Sequence, residues 1–191
     1  FTLIEVIVVV SVLLIITSVL VFQNSRGREG SEVKNAAHEL SVVLRELQAS
    51  ALGVEGVGGE FEGEFGLNFS DASREIATQD FVTFVDTNDN QLYDPGTDDL
   101  IEQFSLPERV ELHELSGQSA SGPRTVVVGQ PPNNRGFTIV FRRPNPDAAI
   151  TLHNPGTEFT WSEVDIILKS AIDASVTSTV SVFTTGQISV E

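Results

Sequence analysis

The longest apolar run of the chain lies at its start. Residues 6–22 read VIVVVSVLLIITSVLVF, and with FTLI in front the run holds one charged residue, Glu5. As an α-helix at about 1.5 Å per residue it is roughly 33 Å long, close to the thickness of a bilayer's hydrocarbon core. A helix satisfies its own backbone hydrogen bonds in lipid, which outweighs the low helix propensity of its many β-branched residues. Residues 1–22 are therefore predicted to form a membrane helix. The alternative, a secretory signal, needs a basic segment and a small-residue cleavage site, which the run lacks.

A polar segment with two glycines follows the apolar run. Residues 23–31 read QNSRGREGS, and glycine inside a helix costs about 1 kcal/mol relative to alanine. An extended or frayed stretch is predicted there, with one continuous helix as the alternative. Apolar residues then recur every three or four positions up to Gly53, which indicates an amphipathic stem helix. The members of this stripe are Val33, Ala36, Ala37, Leu40, Val43, Leu44, Leu47, Ala51 and Leu52. Residues 23–53 are thus assigned to a hinge and a stem.

The pattern changes from Val54 onward to short segments rich in Val, Ile, Phe and Thr. Clusters of Gly, Pro, Asn and Ser separate them, as is typical of antiparallel strands. The segments are 65–69, 81–85, 110–115, 125–128, 137–141, 149–153, 164–168, 176–183 and 187–190. The predicted fold class is α+β, with a long N-terminal hydrophobic α-helix and an antiparallel β-sheet head over residues 54–191.

Charge is distributed unevenly along the 191 residues. Lys and Arg total 11 against 27 Asp and Glu, a net charge of −16. Residues 1–53 hold five acids and four bases, so the head carries 22 acids and 7 bases, a net of −15. This balance argues against nucleic acid as the primary partner, because phosphate contacts need clustered bases. The absence of cysteine excludes disulfides, Cys-ligated zinc, iron–sulfur clusters and thiol catalysis.

The first six residues, Phe1-Thr2-Leu3-Ile4-Glu5-Val6, resemble the mature N-terminus of the type IV pilin superfamily, which includes the pseudopilins of type II secretion and competence. In that family a prepilin peptidase cuts after a glycine, the exposed Phe is N-methylated, and Glu is fifth. The resemblance covers about the first 25 residues and the amphipathic helix, and it implies a pilin-like fold. The chain departs from many pilins in having Phe22 where they have proline and in lacking the cysteines of their C-terminal loop.

This resemblance implies a structural subunit of an extracellular filament. Before assembly the subunit would be a single-pass membrane protein with its head outside the cytoplasm, served by an inner-membrane assembly platform. A carboxylate inside a bundle of apolar helices needs a cation, because burying it unpaired costs several kcal/mol. Phe1 and Glu5 are therefore the expected assembly pair, the ammonium of one subunit meeting Glu5 of the next. The alternative is a pseudopilin of a short, periplasm-spanning filament, and a membrane-tethered enzyme or ligand-binding domain is a third possibility.

An acidic segment in the head has the spacing of a calcium-binding loop. Oxygen-bearing side chains alternate along residues 86–94, as they do where a tight turn directs every second side chain toward one cation. The predicted ligands are Asp86, Asn88, Asn90, the Leu92 carbonyl, Asp94, and Asp98 or Asp99. The segment resembles EF-hand-like and dockerin-like loops, with Gln91 where they usually have glycine and Thr97 where they have a bidentate glutamate. A metal-free acidic hairpin is the alternative.

Catalysis finds no support in the sequence. The three histidines, His38, His113 and His153, are scattered and belong to no ligand or nucleophile motif. The glycines at 53, 56, 58 and 59 lack the Lys-Ser/Thr ending of a phosphate-binding loop. The chain is therefore predicted to be a structural protein and not an enzyme.

Overall fold

The chain begins with a helix. The structure is a computed structural model that describes residues 2–53, 64–70, 76–120, 122–128, 136–142, 147–154 and 157–191; the side chains of residues 20–27, 154, 157 and 158 lie outside this description. Helix α1 has the bounds Leu3–Leu52. Its side chains are therefore described in two parts, residues 3–19 and 28–52. The segment predicted to be extended, 23–31, falls mostly between these parts, and its backbone lies within the bounds of α1.

The second part of α1 packs on the sheet along the predicted apolar stripe. Every member of that stripe is buried except Leu52, which is exposed. Gly53 closes the helix, and its N–H donates to the Ala49 carbonyl at 2.8 Å. Two polar side chains at the helix end, Arg45 and Gln48, donate to the carbonyls of Ile188 and Gly186. The helix is thereby fastened to the C-terminal hairpin.

Ten strands follow the helix. They are β1 (Glu64–Phe69), β2 (Asp80–Asp86), β3 (Asp99–Ser105), β4 (Val110–Ser119), β5 (Gly122–Val127), β6 (Phe137–Phe141), β7 (Ala148–Asn154), β8 (Thr157–Ser170), β9 (Thr177–Phe183) and β10 (Ile188–Val190). The order across the sheet is β10-β9-β8-β7-β6-β1-β2-β3, and each pair of neighbours in this order is antiparallel. The β4–β5 hairpin joins at β8. Strand β8 is long enough, at 14 residues, to pair with β7 through its first half and with β4 through its second.

The concave face of the sheet holds the core. A row of aromatic rings crosses it from β3 to β8, with centroid distances between neighbours of 5.1 to 6.3 Å. The row is Phe104, Phe81, Phe69, Phe137 and Trp161. The stem part of α1 lies among these side chains in one continuous cluster. Burial of large aromatic side chains dominates core energetics, so this row is a main source of the stability of the core.

The predicted fold class is wrong. Among the residues whose side chains are described, the helical residues form two short parts, 3–19 and 28–52, and neither is a long apolar helix. The remaining described residues form a mostly antiparallel half-barrel of ten strands. The physical reason lies in how the parts pack. The later helical part is amphipathic and buries its apolar stripe against the sheet, and strands that pair across long stretches of sequence curve around it as a half-barrel.

Candidate functional site

The first candidate site is the surface of residues 3–19 of α1. Every residue from Thr2 to Val19 is exposed, and the exposed fraction of the large apolar side chains runs from 49% at Val10 to 80% at Leu3. No side of this part of the helix is covered by the described half-barrel. Monomeric proteins rarely expose contiguous apolar patches larger than a few hundred Å². An apolar helix exposed on all sides therefore marks a surface that another molecule covers.

The polar residues of this helix do not make its surface hydrophilic. The Ser11 hydroxyl donates to the Ile7 carbonyl at 2.7 Å, and the Thr17 hydroxyl donates to the Leu13 carbonyl at 2.7 Å. Ser18 donates in the same way to the carbonyl of Ile15. Because each hydroxyl proton is directed at the helix's own backbone, these three residues can be buried among apolar neighbours without an unsatisfied donor.

Glu5 is the one charged residue between residues 3 and 19 of α1, and it caps the first turn. Its Oε2 accepts a hydrogen bond from the backbone N–H of Thr2 at 3.4 Å, which is long for such a bond. A carboxylate at a helix N-terminus is also favoured by the helix dipole. Phe1, its predicted partner from a neighbouring subunit, lies outside the described residues. The pairing of Phe1 with Glu5 therefore stays a prediction.

The membrane-spanning prediction concerns the same residues. Among the helices whose side chains are described, none combines the length and apolar character that crossing a membrane requires. The predicted span, 1–22, includes residue 1 and the side chains of 20–22, which are outside the description.

The second candidate site is the acidic loop, defined as residues 86–98, which joins β2 to β3. Asp86 is fully buried at the end of β2. Its Oδ1 accepts from the N–H of Asn88 at 3.2 Å, and its Oδ2 accepts from the N–H of Gln91 at 2.7 Å. Asn88 and Asn90 repeat this pattern, each accepting from the N–H two residues on. Successive side chains that bond the backbone in this way coil the segment into a series of tight turns.

The far end of the acidic loop returns to its start through Asp98. Asp98 Oδ1 accepts from the N–H of Thr87 at 3.2 Å, and Oδ2 accepts from the N–H of Asp94 at 2.8 Å. Asn90 Nδ2 donates to Asp94 Oδ2 at 2.7 Å. The predicted ligands Asn90, Asp94 and Asp98 are thus joined to one another. Asp99 is exposed at the first position of β3 and lies outside this hydrogen-bonded set.

Carboxylates are crowded at this end of the sheet. Burial raises the pKa of Asp86 above its ordinary value, and the charge of Asp98 raises it further, although the N–H groups it accepts oppose the shift. Burial also raises the pKa of Glu64 on β1, with the charges of Asp89 and Asp86 adding to the effect against the attraction of Arg142. The loop and its surroundings therefore hold more negative charge than their own positive groups offset.

The acidic loop is folded onto the convex face of the sheet. Gln91 accepts at its side-chain oxygen from the Thr151 hydroxyl, and its carbonyl lies 3.2 Å from His153 Nε2, both on β7. The Tyr93 ring packs against Phe84 at 5.2 Å between centroids. Phe84 in turn covers Gly66, where an added Cβ would lie 2.6 Å from the Phe84 ring. The contacts of the loop with β7 were not predicted from the sequence, because they join residues about 60 positions apart. For the same reason, the sequence analysis gave His153 no role.

The donor set of the acidic loop is partly suited to calcium. Its oxygens come from carboxylates, side-chain amides and the backbone, which is what calcium prefers. Within the described ranges, no group of three His, Cys, Asp or Glu side chains is placed to hold a metal ion. A calcium ion here would therefore depend on the amide oxygens of Asn88 and Asn90 and on a carbonyl in addition to the carboxylates.

Comparison with known proteins adds no assignment, since no protein-family model, curated protein or solved structure matches the chain.

Proposed function

We propose that this chain is the structural subunit of a filament and that it polymerises through residues 3–19 of α1. The observation that supports the proposal is the exposure of every residue from Thr2 to Val19, a part of the chain that carries one charge. Covering the exposed half of a Val, Leu or Ile side chain contributes on the order of 1 kcal/mol. Packing among several copies of the chain covers all sides of this helical part at once, which a single flat partner does not.

The polymer is an extracellular pilus-like fibre, in keeping with the resemblance of the first six residues to type IV pilins. In this fibre Glu5 sets the axial register by pairing with the Phe1 ammonium of the next subunit, and the membrane holds the subunit before assembly. The head provides an acidic outer surface and catalyses no reaction. The alternative within the same class is a pseudopilin, whose filament would be short and would span the periplasm.

Calcium is the proposed structural ion of the acidic loop. It would bind through Asp86, Asn88, Asn90, Asp94 and Asp98, with the Leu92 carbonyl as a further ligand. The support for this proposal is that the loop brings together the oxygens of Asp86, Asn90, Asp94 and Asp98. Burial first, and then the charge of Asp98, raises the pKa of Asp86, and a divalent cation would relieve the repulsion between these two carboxylates. The ion would hold the loop on the convex face and take no part in a reaction.

A matched pair of substitutions on α1 tests the filament proposal. Leu13 and Val42 are exposed to nearly the same extent, 57% and 58%, but only Leu13 belongs to the proposed assembly surface. Leu13→Glu would bury an unpaired carboxylate at a cost of several kcal/mol, so we expect filaments in negative-stain micrographs to decrease at least about tenfold. Val42→Glu is expected to form filaments as the parent chain does. Equal filament yields for the two variants would contradict the proposal.

A further inference from the structure

A groove lies between the stem part of α1 and the free edge of the sheet. It has a volume of about 250 Å³. Its floor is apolar, formed by Val43 and Leu47 of α1 and by Phe65 of β1, all of them buried. Phe104 and Ile101 of β3 form the outer wall. Among the described residues the helix packs mainly on the other strands, and these residues leave this side of the half-barrel open.

The position and irregular pairing of strand β3 leave this groove accessible. It is the last strand of the sheet, and six of its seven residues are exposed. Its pairing with β2 shifts between Thr83 and Phe84, so that Ile101 is an extra residue between Leu100 and Glu102. A bulge of this kind twists an edge strand and redirects a side chain. It leaves Ile101 lining the groove with 46% of its surface exposed.

The rim of the groove restricts what can bind in it. Glu46 on α1 and Glu102 on β3 are both exposed at the groove. Another head carries a net charge of −15 and would be repelled. An occupant must therefore be apolar and free of negative charge over the length of the groove.

One described segment of this chain satisfies both conditions. Residues 6–19 of α1 are apolar, exposed and uncharged. Residues 6–19 are about 21 Å long as a helix, and the seven residues of β3 extend about 23 Å, so the two elements are of similar length. Because Glu5 stands at one end of the helix, it lies beyond the groove when residues 6–19 follow β3.

We propose that the groove between α1 and β3 receives apolar side chains from residues 6–19 of a second copy of this chain. This inference rests on the proposed filament and specifies which surface of the head touches the assembly helices. The helix lies along β3 and inserts its side chains between Ile101 and Leu47. The head of one copy then contacts the assembly helix of another. Each subunit is therefore held in the filament at its head as well as at its N-terminal helix.

Site-specific photo-cross-linking of filaments of the full chain tests this contact. A benzoylphenylalanine at position 101 is expected to yield a product of twice the subunit mass, with its cross-linked peptide within residues 3–19. The matched control places the same group at Ile172, an isoleucine with 60% of its surface exposed in the turn after β8. We expect no cross-link to residues 3–19 from that position.

Other results of this experiment overturn the inference. Filaments whose position-101 cross-links map to another head, or to residues 54–63 of the same chain, exclude the helix as the occupant while the proposed function stands. Filaments without any cross-link from position 101 do the same. Failure of the parent chain to form filaments removes the proposed function, and the inference with it.

Substitution of the same two isoleucines gives an independent readout. Ile101→Glu places a third carboxylate beside Glu46 and Glu102, and we expect the concentration needed for filament formation to rise at least tenfold. Ile172→Glu is expected to change it less than twofold. An unchanged melting temperature for Ile101→Glu would show that its head is folded, and equal assembly of the two variants would contradict the inference. Should Ile101→Glu fail to fold, the cross-linking result decides.

Discussion

The Nε2 atom of His153 lies 3.2 Å from the carbonyl oxygen of Gln91, and this contact joins strand β7 to the middle of the acidic loop. Gln91 has a φ of 61°, in the left-handed region. This is the position at which calcium-binding loops of similar spacing usually have glycine. The chain adopts the glycine conformation with a longer residue, and the side chain gained is used to accept a hydrogen bond from Thr151.

Substitutions at Gln91 should separate backbone conformation from side-chain contact. Left-handed conformation costs a non-glycine residue about 1–2 kcal/mol, and a neutral hydrogen bond contributes about 1 kcal/mol. Gln91→Gly gains the first and loses the second, so the free energy of unfolding should stay within about 1 kcal/mol of the parent. Gln91→Val loses the hydrogen bond and adds β-branched strain, so we expect a loss of about 2–3 kcal/mol in urea unfolding. If valine were tolerated as well as glycine, the left-handed turn would not be a constraint.

Removal of calcium should loosen the acidic loop. We expect chelator to lower the melting temperature of the full chain and added calcium to restore it. Asp86→Ala should abolish this response and also destabilise the chain by about 1–3 kcal/mol, because the N–H groups of Asn88 and Gln91 lose their acceptor. Asp173→Ala, which removes a similar turn contact to Ser175 after β8, should keep the calcium response. A parent chain whose unfolding ignores both chelator and calcium would exclude a structural ion.

The raised pKa values of Asp86 and Glu64 predict that metal-free protein becomes more stable in mild acid. Both groups bind a proton more readily in the folded chain than in the unfolded chain, so folding is favoured as the pH falls through their folded-state pKa values. The gain is complete only below their ordinary pKa values of 3.8 and 4.5. Thermal unfolding in chelator should show this slope.

Two variants identify the source of that pH dependence. Asp86→Asn removes one of the two groups and should reduce the slope, whereas Asp147→Asn, at an exposed position, should preserve it. Loss of general charge repulsion, which also accompanies acidification of a chain with net charge −16, affects both variants alike. Identical slopes for the two would show that Asp86 is not responsible.

Glu5 should matter for assembly and not for the fold of the half-barrel. Glu5→Ala removes the proposed partner of the neighbouring Phe1 ammonium together with the N-terminal cap, and we expect a several-fold lower yield of filaments with an unchanged melting temperature. Glu39→Gln, an exposed acid on the stem part of α1, is the control and should assemble normally. Abundant, regular filaments from Glu5→Ala would contradict the assigned role.

Local sequence patterns predicted the positions of most strands. The missed strand and the wrong strand length depend on pairing between residues far apart in the chain, which local patterns do not show. Each of the nine segments predicted from residue 65 onward overlaps an observed strand. Strand β3 was missed because Leu100 and Ile101 stand among acids and the strand lies on an exposed edge, where burial does not alternate. Strand β8 was predicted as 164–168 but spans Thr157–Ser170, since its length is set by two different partners on one side. The curvature that makes a half-barrel arises from such pairings.

The candidate sites likewise combine features that are visible in the sequence with features that only the folded chain shows. The alternating oxygens of residues 86–94 and the apolar residues 3–19 with their single acid are visible as spacing, so the sequence alone could propose both as candidate sites. The docking of the acidic loop on β7 joins Gln91 to His153 across 62 residues, and the groove depends on a strand that the pattern did not reveal. Both are products of tertiary packing that no local window of the sequence contains.

Hydrogen–deuterium exchange of the full chain tests the central claim most directly. Amides of residues 3–19 would be compared between protein dispersed in detergent and the material that sediments after detergent removal. Burial of this helix among copies of itself predicts strong additional protection of residues 3–19 in a sedimented, filamentous fraction. If the chain stays dispersed, or forms filaments in which residues 3–19 exchange as fast as before, the account is contradicted.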